Sequence, residues 1–476
     1  MTFAIQAARR TSGVLVMVIC AAYIGAELIR QPTLIRFIAA GCIGLTAVIA
    51  ATQWPRVTVV ATLTLLPYLA VSRRLLLEFA PWKSTDPMLL LAPIVLALVL
   101  VRLFIIERRS LVGDRVSKLM LLLLGLTFLE AFNPRGGGLA GGIAALLFTA
   151  VPLLWFFAGR ELATRRSMRI LFMTLVLSAS LIAVYGLVQT WDGMPTWDQM
   201  WVNQSGYAAL SVGTVTRAFG TFSSSAEYAS FLGIAIVTAV AFALDRRPYL
   251  LPAVPLLAVA LFYESGRAIV VTTAVAVVVV LAARTGSMQR ATVTLIVLLT
   301  GVVLALVLAR GALQSASYSS NSLVSHQVGG LIHPLNQRQS TLHAHLGLLE
   351  NGLKRGALDP IGYGIASTTL AGSKLGGTPQ AATTEVDISN EFVATGTFGG
   401  LAYLAILVLV LIAALRNAVE RRDAVSLSIL GMLVAIFGQW LNGGYYAVAS
   451  IVWFSIGFLI ACERKRVLTV AGGEPD

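Results

Sequence analysis

Charge is scarce in this chain. Asp, Glu, Lys and Arg make up 12% of its 476 residues against 57% hydrophobic residues, and mean hydropathy is +0.83. A soluble globule carries roughly a quarter of its residues as charges, so a water-soluble fold is excluded and the chain reads as a polytopic membrane protein. Cysteine is nearly absent too. Cys20, Cys42 and Cys462 all fall in apolar stretches, where a thiol behaves as a small hydrophobe, so neither a disulfide framework nor a thiolate metal site is indicated. Acid is the scarcer sign, 22 Asp and Glu against 35 Lys and Arg. The resulting net charge of +13 would suggest nucleic acid in a soluble chain, but in a membrane chain basic residues report sidedness first, and no nucleic-acid partner is expected. Also missing are a Gly-rich phosphate loop ending in Lys-Ser or Lys-Thr, an aspartate pair spaced for a sugar-nucleotide metal, and His/Glu zinc spacing. The chemistry is therefore expected to use no metal and no cofactor.

What is abundant is the long apolar segment. Spans are predicted near residues 12–29, 33–52, 56–72, 88–106, 118–132, 139–158, 168–189, 226–244, 249–263, 268–283, 291–310, 396–415, 424–441 and 445–462. The expected fold is an all-α transmembrane bundle of about 12–14 spans, forming one integral domain over residues 1–476. With Arg9 and Arg10 in the cytoplasm, alternation puts the arginines at 108, 109 and 115, at 160, 165, 166 and 169, at 246 and 247, and at 416, 421 and 422 inside, together with the tail Arg464-Lys465-Arg466. That obeys the positive-inside rule, with Arg30 and Arg36 as the visible exceptions. Residues 311–390 then form one large extracytoplasmic loop. Within it Ser315 to Ser325 reads as irregular, while Leu342, Leu346, Leu349 and Leu353 make one stripe of an amphipathic helix ended by Asp359-Pro360. Trp82, Trp191, Trp197 and Trp201 suit the headgroup layer.

Arginines on the outer side, against the positive-inside rule, need an explanation. Arg217, Arg267 and Arg338 each lie close to a predicted helix end. One such arginine can simply snorkel to lipid phosphates; several converging form an anion cradle, since guanidinium is permanently charged and forks onto phosphate oxygens. The nearby carboxylates are Glu227, Glu264, Asp387 and Glu391, and each is either a structural partner of arginine or a proton acceptor. All four histidines, His326, His333, His343 and His345, fall in the large loop, where any could be a base or a solvated interfacial residue.

These residues, in this order, resemble the bacterial O-antigen ligases and polysaccharide polymerases, integral membrane glycosyltransferases. The resemblance rests on Arg217 with Gly220 and Phe222, on Ser265-Gly266-Arg267, on Arg338 followed by Pro360-Ile361-Gly362-Tyr363-Gly364, and on Ser389-Asn390 with Gly400 and Tyr403. It covers Thr216 to Leu404. The ligases carry His-Asn where this chain has Ser389-Asn390, and the missing histidine shifts the expectation from ligase towards polymerase. The resemblance implies transfer of a glycan from undecaprenyl pyrophosphate, with inversion, on the outer face of the bacterial cytoplasmic membrane. The implied partners are the lipid-linked glycan donor, a glycan or lipid acceptor, membrane lipids and other envelope polysaccharide assembly proteins.

Site residues follow from that chemistry. Arg217, Arg267 and Arg338 are expected to hold the donor pyrophosphate, whose developing charge is what the enzyme must stabilise. Glu227 is the first candidate for the base that takes the acceptor's proton, with Glu264 and His343 next. Asn390, Glu391 and Tyr363 are expected to position the acceptor or the loop. Two alternatives stand beside the polymerase: a ligase that passes the glycan to a lipid acceptor, and a transporter or flippase for a lipid-linked sugar, which would need ionisable residues in mid-span.

Overall fold

The computed structural model describes residues 34–80, 86–205, 211–212, 215–333, 342–369 and 386–470, with the single positions 336 and 375. The expected first span and Arg338 lie outside them, as does Trp82. Among the described residues, nine helices are long and apolar enough to cross a membrane. They are α1 (Leu34–Gln53), α2 (Pro55–Glu78), α3 (Pro87–Ile106), α5 (Leu139–Leu162), α6 (Arg165–Trp191), α8 (Ser225–Leu244), α11 (Met288–Leu308), α15 (Asp387–Arg421) and α17 (Tyr446–Val470). Shorter apolar helices complete the bundle: α4 (Arg115–Glu130), α9 (Pro248–Glu264), α10 (Arg267–Ala283) and α16 (Ala424–Ala435).

Local sequence sets where these helices begin. Proline opens α2, α3 and α9, where its missing N–H costs nothing. Side-chain oxygens cap others: Asp114 accepts from the amide of Ser117 at 2.7 Å, Ser224 from Glu227 at 3.2 Å, and Asp423 from Val425 at 3.0 Å. Small residues set how closely the helices approach. A Cβ on Gly159 of α5 would overlap the carbonyl of Phe454 in α17, and one on Gly457 would overlap that of Phe156. The two backbones therefore touch, the close approach that holds helices together where lipid supplies no hydrophobic drive.

Polar contacts sort the connections into two ends. At one end Arg165 meets Asp423, Arg109 meets Glu161, and Arg466 meets Glu420. At the other, Arg36 and Arg73 meet Asp86, Arg74 meets Asp198, Arg217 meets Glu264, and Arg135 meets Asp359. The helices run alternately between these ends, as the spacing of apolar segments predicts.

The segment between α11 and α15 lies at the second end. It holds α12 (Arg310–Ser317), α13 (Ser322–Ile332) and α14 (Leu342–Leu358), so most of the stretch expected to be irregular around Ser315 to Ser325 is helical. The correction has a local cause: Asn321 accepts from the amides of Leu323 and Val324 and starts α13 inside the serine-rich run. The amphipathic α14 is present. It packs on α15 through Gly356, where a Cβ would overlap the Phe392 backbone, while Leu342 and Leu346 stay exposed. Beyond α14, Asp359 accepts from the amides of Ile361 and Gly362, and the turn docks on Asn133, whose amide nitrogen donates to the Gly362 carbonyl at 3.2 Å. Burial acts first to raise the Asp359 carboxyl, but those two amides and Arg135 outweigh it and hold it below its ordinary value.

Candidate active site

Two turns and one loop helix meet at this end. The first turn, Arg217 to Ser224, enters α8, and the second, Glu264 to Arg267, joins α9 to α10. Arg217 donates from Nε to the Glu264 carbonyl at 3.0 Å and from Nη2 to the Glu264 carboxylate, which also accepts from the Gly266 amide at 2.8 Å. Glu264 is fully buried, so its charge is spent on fixing one guanidinium and one tight turn. That turn holds Ser265 at φ +72°, a left-handed conformation that costs a non-glycine residue about 1–2 kcal/mol.

Arg267 opens α10 and lies over Gly330 of α13, where any Cβ would collide with its guanidinium. His326 is one helical turn before Gly330, and residues four apart share a helix face. Burial, then the positive charges of Arg267 and Arg217, push the His326 imidazole below its ordinary value. It is therefore neutral at pH 7 and able to accept a proton. Arg217, Arg267, Glu264 and His326 thus form one cluster of two cations, one carboxylate committed to a cation, and one neutral imidazole.

A second layer holds the first turn in place. The Arg74 guanidinium, with no exposed side-chain surface, meets Asp198 at 2.7 Å and donates to the carbonyls of Gly220, at 2.6 Å, and Phe222. Asp198 also accepts from Tyr185 and from Gln189, each at 2.6 Å, and Gln189 in turn accepts from the amides of Phe219 and Gly220. Gly220 has φ +51°, and a Cβ there would press on Ile182 and Tyr228. The turn that presents Arg217 is fixed on both sides by buried polar groups.

The other expected site residues have different surroundings. Glu227 is buried, but its Oε1 accepts from the amides of Ala447 at 2.8 Å and Val448 at 3.2 Å, so it caps the start of α17, and Arg217 pairs with Glu264 instead. His343 is exposed on α14. Tyr363 lies under the Arg135 guanidinium at 5.7 Å, and its amide donates to the Val393 carbonyl. Asn390 and Glu391 are buried in the first turn and a half of α15, where Asp387 accepts from the amides of Trp440 and Leu441. Ser389 donates to the Val386 carbonyl at 3.0 Å. Trp201 is not a surface anchor: it is buried, 5.8 Å from the Arg73 guanidinium. Arg74, Asp198 and Gln189 were not singled out by the sequence reading. The signal was available, because Arg73-Arg74 breaks the positive-inside pattern as plainly as Arg217 does.

No family model, curated protein or solved structure matches the chain.

Proposed function

We propose that the protein is a membrane glycosyltransferase that extends a polyprenyl-pyrophosphate-linked glycan at the extracytoplasmic face of the cytoplasmic membrane. The observation that carries the reading is the meeting of Arg217 and Arg267, from separate turns, with a neutral His326 from the loop between α11 and α15. Charge supports the sidedness: the end with Arg165, Arg169, Arg284 and Arg466 suits the cytoplasmic side by the positive-inside rule, and the cluster lies at the other end.

In this reading the acceptor hydroxyl attacks the anomeric carbon of the donor. The bond from that carbon to the pyrophosphate oxygen breaks, and the leaving pyrophosphate takes the electron pair. Arg217 and Arg267 hold its charge, Glu264 keeps the Arg217 fork aimed, and His326 takes the hydroxyl proton. Inversion follows from a single direct displacement. Imidazole suits the task because it is neutral beside two cations, whereas the Glu227 carboxylate is already occupied by two backbone amides.

The test is direct. Cells lacking the protein should accumulate lipid-linked single repeat units if it polymerises, and long lipid-linked chains if it is a ligase. Accumulation of neither would end the reading. Sidedness is tested separately: a cysteine at the exposed Ser320 should react with an impermeant thiol reagent in intact cells, and labelling only after lysis would reverse the topology.

A further inference from the structure

The cluster of Arg36, Arg73 and Asp86 belongs to no part of the proposed reaction, and its charges do not balance. Asp86 is sealed from solvent and is the only carboxylate that either arginine meets among the described residues. Its Oδ2 accepts from Arg36 at 2.7 Å and from Arg73 at 2.9 Å, while its Oδ1 accepts from the Met88 amide at 3.0 Å. Arg36 uses its remaining fork, Nη2 donating to the carbonyls of Arg73 at 3.2 Å and Ala80 at 3.0 Å, and leaves only its Nε without a partner among the described residues. Arg73 leaves its whole fork unpaired. Only its Nε is paired, and its two terminal nitrogens have no hydrogen-bond partner among the described residues, although the side chain is only 8% exposed.

One positive charge is thus left over, and the group carrying it presents an unused fork. Guanidinium cannot escape by losing its proton, so a buried surplus of this kind calls for an anion. A snorkelling arginine would place its head in water or headgroups; Arg73 is instead held back by Asp86 and lies against the ring of Trp201 at 5.8 Å. Two unpaired terminal NH2 groups on a planar fork match the oxygens of a phosphate. The location supplies the carrier. Phe37, next to Arg36, is 59% exposed on α1, a helix whose apolar surface is mostly unburied, so the cluster sits at a helix end beside surface that lipid must cover.

We propose that Arg73, braced by Asp86 and Arg36 and flanked by Trp201, binds the phosphate of a membrane lipid, at a site built from different residues than the Arg217 and Arg267 pair. Two lipids carry that chemistry: an ordinary anionic phospholipid, or a polyprenyl phosphate, which under the proposed function would be the carrier of a second substrate.

The experiment uses the full chain purified in uncharged detergent, with lipid binding followed by native mass spectrometry and by the gain in melting temperature. The R217A/R267A double variant, which lacks the proposed donor cradle, should still retain one phosphate-bearing lipid. R73Q should weaken that binding roughly tenfold, the scale of one lost charge-assisted contact. The gain is read against each variant's own lipid-free state, so a change in basal stability does not enter. Undecaprenyl monophosphate binding roughly tenfold tighter than phosphatidylglycerol would assign the site to the polyprenyl carrier, and equal binding would assign it to a phospholipid headgroup. The proposal is overturned if R73Q responds to both lipids as the wild type does. It is equally overturned, without recourse to R73Q, if the double variant retains no lipid. Neither result bears on whether Arg217 and Arg267 catalyse glycan transfer.

Discussion

At one end of the bundle Arg165 meets Asp423 at 2.5 Å with side chains 37% and 25% exposed, whereas at the other Arg74 meets Asp198 at 2.7 Å with neither side chain reaching solvent. The first pair is screened by water and contributes about 0–1 kcal/mol. The second has been taken out of water at a large desolvation cost, and its strength lies in the four further hydrogen bonds that use the rest of both side chains. Arginine near lipid therefore has two uses in this molecule. Exposed arginines such as Arg165 report orientation, while buried ones fix backbone turns, Arg74 those of Gly220 and Phe222 and, at the basic end, Arg160 those of Ser110 and Leu111.

That contrast can be broken at several points, and the largest expected effect is on stability. Arg74→Ala should leave Asp198 buried without its cation and destabilise the protein by about 3–5 kcal/mol in detergent unfolding. Arg165→Ala at the other end should shift the same measurement by no more than about 1 kcal/mol. Equal losses would erase the distinction between the two ends.

Next comes catalysis. Arg217→Ala and Arg267→Ala should each lower kcat/KM for a lipid-linked glycan donor about a hundredfold, or ~2–4 kcal/mol at the transition state. Lysine should rescue neither, since it restores the charge without the fork. Normal polymer output from correctly inserted alanine variants would remove the cradle.

Glu227 sharpens the comparison from the other side, as a buried carboxylate that among the described residues meets two amides and no cation. Glu227→Gln keeps an acceptor oxygen and should turn over within a few-fold of wild type, while Glu227→Ala should cost about 1–2 kcal/mol of stability as a lost cap. A collapse of turnover in the glutamine variant, with donor binding intact, would return the role of base to Glu227.

The finest effect is on pH dependence. His326 must be neutral to accept a proton, and its pKa is lowered, so kcat/KM should fall only below the pH at which an ordinary histidine titrates. Removing a nearby cation raises that pKa, so in Arg267→Gln the acid limb should move to higher pH. An unmoved limb would place the base elsewhere.

The spans were legible because each one is announced by its own residues. Thirteen of the expected segments correspond to described helices from Leu34 to Val470, bounded by the same prolines, caps and arginines that mark them in the sequence. Boundaries failed where context decides: the α16 segment was expected to run to 441 but stops at Ala435, where the chain turns so that Trp440 and Leu441 can donate to Asp387. Of the site, Arg217, Glu264 and Arg267 could be picked out because the two arginines stand against the positive-inside pattern, with Glu264 three residues before Arg267. His326 could not be ranked above His343, since both lie in one polar stretch and only packing half-buries the first beside Arg267 while leaving the second exposed.

By itself the sequence determined the membrane class, the order of the helices, and which ends are basic. Those properties depend on how residues partition between lipid and water within one segment at a time. The tertiary structure alone decided the partners: Arg217 with Glu264, Glu227 with the start of α17, Arg74 with Asp198, and Arg73 with half a carboxylate. No periodicity encodes these choices. All but Arg73 with Asp86 join segments distant in the chain, and in a low-dielectric interior the assignment depends on which buried charge lies within about 3 Å of which donor.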